Sequence, residues 1–100
     1  MKLIVTIVNR GYSDELMAAA RLAGANGGTI LNARGTGTAE DAIYWGINLT
    51  PEKEVLLIVA NPEDAANITE AIRSQNAFNE RGAGIVFTLN LAESFFPNNA

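Results

Sequence analysis

The chain has 100 residues, 48% hydrophobic and 18% charged, with a net charge of −4. This composition fits one globular domain over residues 1–100 and excludes both a disordered chain and a bilayer-spanning one. The seven basic residues form no stripe for nucleic acid, and without cysteine or histidine there is no disulfide framework, no usual nucleophilic triad and little material for a metal site.

The N-terminal "KLIVTIVN" (Lys2 to Asn9) is rich in β-branched residues and predicts a strand. It has one flanking lysine and no small-residue cleavage site, so it does not read as a signal peptide, and a cytoplasmic protein without membrane insertion is expected. Gly11 breaks the strand. Ser13 is placed to cap a helix, with Asp14 and Glu15 in its first turn and Leu16, Ala19, Ala20 and Ala23 on its apolar face. Gly24 lies at its end.

"GTILNAR" (Gly28 to Arg34) predicts a second strand. In "AIYWGINLT", Tyr44 and Trp45 suit a partner contact, whereas Ile43, Trp45, Ile47 and Leu49 also alternate as one extra strand facing the core. "EVLLIVAN" (Glu54 to Asn61) is the third main strand. Asn61 and Pro62 then open a helix with Ala65, Ile68 and Ile72 on one face. "IVFTLNL" (Ile85 to Leu91) is the fourth.

The order β-α-β-β-α-β predicts an α+β, ferredoxin-like fold: a four-stranded antiparallel sheet with two helices on one face. The second strand is expected to run antiparallel to the first and third. The first, third and fourth strands are apolar at nearly every position, as in sheets buried on both faces. Two helices cover one face, so the other is expected to be covered by further copies of the chain.

Gly35 and Gly37 follow the second strand, flanked by Arg34, Thr36 and Thr38. Glycines there permit positive φ and let backbone N–H groups approach an anion. Gly82 and Gly84, with Ala83 between them and Arg81 alongside, precede the fourth strand. The two pairs could grip one anion from two sides, within a subunit or across an interface. They could equally be independent turns. No Gly-Lys-Ser/Thr follows, as a Walker A loop requires, and no helix directly follows, as a dinucleotide fingerprint requires.

On "GGTILNARGTG", "IVANPEDAANITEAI" and "RGAGIVF", the chain resembles the P-II nitrogen regulatory signal-transduction family, as a PII-like member with a shortened T-loop. The resemblance implies a homotrimer of ferredoxin-like subunits that binds adenine nucleotides (ADP, AMP or ATP) in clefts between subunits. It also implies a target protein, such as a membrane transporter or a metabolic enzyme. By position it carries the adenine contact to Thr29 and the backbone near Ala60, and the phosphate cradles to Gly35, Gly37, Gly82 and Gly84.

This chain departs from the family pattern at the phosphate end. The family lysine after the second glycine pair falls on Ile85, and the glutamine that helps hold magnesium and 2-oxoglutarate falls on Ala39. "AESFFPNNA" offers no arginine, and only "TAEDAIYWGINLTPEK" stands where the family has its long loop. Charge-assisted contacts are the strong ones. The expected ligand is therefore ADP or AMP rather than Mg-ATP with 2-oxoglutarate, with no metal. Lys53 could reach a phosphate. The alternatives are a binder of another small anion and a CutA-like trimeric scaffold. Catalysis would need a general base, for which Glu40, Asp41 and Glu80 are available, and a non-enzymatic role is expected.

Overall fold

The chain runs β1 (Lys2–Asn9), α1 (Ser13–Leu22), β2 (Thr29–Arg34), β3 (Ile43–Tyr44), β4 (Ile47–Asn48), β5 (Glu52–Ala60), α2 (Pro62–Arg73), a 3-10 turn (Asn76–Phe78) and β6 (Ile85–Asn90). The computed structural model describes residues 1–36, 43–44, 47–48, 52–78 and 84–96. Gly37, Thr38, Ala39, Glu40, Asp41, Trp45, Leu49, Glu80, Arg81, Gly82 and Ala83, singled out in the sequence, lie outside them.

The four long strands form one antiparallel sheet in the order β2-β5-β1-β6. With both helices on one face, this is the expected ferredoxin-like arrangement. One expectation is corrected: β2 and β1 are each antiparallel to β5, so β2 runs parallel to β1. The split βαβ crossover through α1 imposes this, because β5 inserts between the two strands that α1 joins. A second correction concerns residues 43–48. Ile43 pairs with Asn48 and Tyr44 with Ile47, so this stretch is a small hairpin and not one extra strand.

The helix-side face carries the core. Ile4, Thr6 and Val8 of β1 and Leu56, Ile58 and Ala60 of β5 are buried there with Leu16, Met17 and Ala20 of α1 and Ile68 and Ile72 of α2. The opposite face is apolar as well. Its cross-strand rows read Leu89–Leu3–Val59, then Phe87–Val5–Leu57–Thr29, then Ile85–Ile7–Val55–Leu31. Leu31, Phe87, Leu89 and Ile85 are 42–58% exposed, so nothing among the described residues covers this face. A last row, Asn9–Lys53–Ala33, is more polar, with Lys53 Nζ donating to Asn9 Oδ1 at 2.6 Å.

Helix α1 ends in a Schellman motif. Ala25 N donates to Ala20 O at 3.0 Å and Gly24 N to Arg21 O at 3.1 Å, with Gly24 at φ 114°. Its start differs from expectation. Ser13 is the first helical residue and Tyr12 stands at the cap without a side-chain cap bond. The capping acceptor comes from β5: Glu54 Oε1 takes hydrogen bonds from Gly11 N (2.8 Å), Ser13 N (3.3 Å) and Ser13 Oγ (2.9 Å). These bonds, led by the one from Gly11, hold the Glu54 carboxyl below the usual carboxylate range.

A depressed carboxyl pKa stabilises the fold above its unfolded value, and that contribution is lost as pH falls through the folded value. Glu54→Gln is expected to cost about 0.5–1 kcal/mol at neutral pH, low for a cap because the carboxylate is partly solvated. In urea melts, the difference from wild type should shrink as pH falls below about 5. A pH-independent difference would assign the effect to something other than the charge.

Candidate functional site

β2 is an edge strand, and two separate concavities lie along it. At its start, a pocket of about 440 Å³ is lined by Met1, Asn26, Gly27, Gly28, Thr29, Leu57, Val59, Asn61 and Phe96. Leu57 and Val59 belong to the open sheet face, which makes this wall apolar. A Cβ on Gly28 would lie 3.0 Å from both Leu57 O and Met17 Sδ. Glycine here therefore lets the chain press onto β5 and α1 as it enters β2.

Asn61 is the N-cap of α2, as its place before Pro62 predicts, but its side chain makes no cap bond. Its carbonyl instead receives Asp64 N and Ala65 N, both at 3.0 Å. Asn61 and Thr29 both line the pocket. Ala60 points the other way, its methyl buried in the helix-side core, while its neighbours Val59 and Asn61 line the pocket.

Three to four residue steps along β2, about 10–14 Å, a smaller pocket of about 150 Å³ is lined by Arg10, Asn32, Ala33, Glu52 and Lys53. Arg34 is next in the strand and pairs in register with Glu52. Arg10, Arg34 and Lys53 are the cations here. Glu52 accepts an ion pair from Arg10, and Glu54 is engaged by the start of α1. The carboxylates offset much of the positive charge, so this end suits a modest anion better than a highly charged one.

The glycines work differently from the sequence expectation. Among the described residues, positive φ occurs at Gly11 and Gly24, not at Gly35 or Gly84. Gly35 lies close over the lysine stem: a Cβ would lie 3.1 Å from Lys53 Cε, a contact the flexible lysine side chain would have to ease. Gly84 packs against the Phe78 ring, where a Cβ would come within 2.6 Å of Cδ1. Thr36 is exposed beside Gly35.

The end of β2 and the start of β6 lie at the same end of the sheet but on opposite edges. Three inter-strand spacings, about 14 Å, separate them. Gly35 and Gly84 therefore do not meet within one chain. Arg10, Asn32, Asn61 and Phe96 escaped sequence reasoning as site residues. Asn61 was read only as a cap, and only the paired phenylalanines in "ESFFP" signalled the last.

Among the described residues, no group of three or more carboxylates could hold a metal ion, and no helix is long and apolar enough to cross a membrane. The family model described as nitrogen regulatory protein P-II matches residues 1–95. No curated protein matches the sequence.

Proposed function

Because the chain belongs to the nitrogen regulatory P-II family, we propose that it is a single-domain cytoplasmic regulator, not an enzyme, that binds an adenine nucleotide between the subunits of a homotrimer. It passes the ligand state to a target protein, such as a transporter or a metabolic enzyme. The observation that carries this reading is the pair of concavities along β2, an apolar one at Thr29 and one lined by the cations Arg10 and Lys53, with Arg34 following in the strand. A base fits the first end and a phosphate the second. The separation of Gly35 and Gly84 on opposite sheet edges favours a cleft between copies, where Gly35 of one chain faces Gly84 of the next.

ADP or AMP is the preferred ligand. Glu52 already pairs with Arg10 at the charged end of β2, and the basic residues that the family resemblance leads one to expect after β6 are absent. Isothermal titration should give AMP and ADP affinities at least as tight as that for ATP, with no gain from magnesium and 2-oxoglutarate. ATP binding that tightens more than tenfold with both would contradict the preference.

Close packing explains Gly35 and Gly84 without any ligand, and this favours a second reading, a trimeric scaffold with no effector. A melting temperature unmoved by any nucleotide would select that reading, since a ligand of the native state raises it.

A further inference from the structure

We propose that the Phe96 ring is the stacking wall for the purine base in the Thr29 pocket, an inference that rests on the nucleotide reading above. The path of the chain after β6 puts the ring there. Leu91 N donates to Met1 O at 3.1 Å, which carries the β1–β6 ladder one residue further. The tail then crosses the end of the sheet towards β2. The width to be crossed is about 14 Å, and six extended residues reach about 20 Å.

The two rings at the end of this crossing differ. Phe95 is 92% exposed, whereas Phe96 is 49% exposed and lines the pocket. The pocket combines what a planar heteroaromatic base needs. It has a flat aromatic wall, aliphatic packing from Leu57 and Val59, and open space beside Gly27. The Thr29 hydroxyl and the Asn61 amide supply donors and acceptors for the base edge. Its volume, about 440 Å³, lies within the usual range for small-molecule sites.

AMP is the probe of choice, because its single phosphate leaves the base with the largest share of the affinity. Titration of the full chain should show Phe96→Ala weakening AMP binding about tenfold, the scale of a lost aromatic–base stack. Phe96→Trp should restore it, and Phe95→Ala should stay within twofold of wild type. Ribose 5-phosphate, which lacks the base, should bind wild type and Phe96→Ala equally. If Phe96→Ala binds AMP within twofold of wild type, the stacking role is overturned and the nucleotide reading stands. If ribose 5-phosphate loses as much as AMP, the ring supports the fold and not the base, which also overturns the proposal. If the wild type binds neither AMP nor ADP, both readings fall.

Discussion

Val5→Asp turns the proposed trimer into a folded single chain. Val5 is at the centre of the open sheet face, opposite Leu57 on one side and Phe87 on the other. The rows around it are apolar from β6 to β2, and their outer members are about half exposed in the single chain. Covering such a face contributes roughly 1.5–3 kcal/mol for each large side chain fully removed from water. A carboxylate buried there without a partner costs several kcal/mol per copy. The monomer avoids this cost, because the open face is wet. Sedimentation should show one chain where the wild type shows three, with an unchanged far-ultraviolet circular dichroism spectrum. A variant that still sediments as the wild type does would place the contact elsewhere.

Ile58→Ala acts on the other face and on the fold itself. Ile58 is fully buried on the central strand β5, among Ile4, Leu16 and Ile68. Removing its branched end loses transfer energy and leaves a cavity, for about 2–5 kcal/mol. That is a large part of the roughly 5–15 kcal/mol that a domain of this size has in hand. Urea unfolding at a fixed protein concentration should show the midpoint drop with the slope unchanged, provided assembly is matched. A loss under 1 kcal/mol would mean that the helices settle into the vacated space.

The sequence showed most of the fold because its signals are local. The β-branched runs mark β1, β5 and β6 to within one or two residues, and Asn61-Pro62 marks the start of α2. The continuous apolarity of those strands foretold a sheet apolar on both faces, and the register bears this out. What stayed hidden depends on residues far apart in the chain. Ser13 looked like a cap, but its hydroxyl serves Glu54, 41 positions away. Gly84 also has a packing reason that its own neighbourhood in the sequence does not show: a Cβ there would meet the ring of Phe78. The direction of β2 follows from the insertion of β5, which no local pattern encodes.

The candidate site was legible in part. Of the residues singled out in the sequence, Thr29 lines the pocket at the start of β2, Lys53 lines the one towards its end, and Arg34 follows in the strand. Arg10 and Asn32 join that end only because β1, β2 and β5 are aligned in register. Phe96 reaches the other end only because the tail crosses the sheet, a path set by a single backbone bond from Leu91 to Met1.

A crystal structure of the full chain grown with ADP tests the proposed cleft most directly. The purine should lie beside Thr29 and Phe96, with the phosphates directed along β2 towards Arg34 and the Gly84 region of a neighbouring copy. ADP held entirely within one chain, or bound away from β2, would contradict the site; so would a lattice containing no contact between open sheet faces.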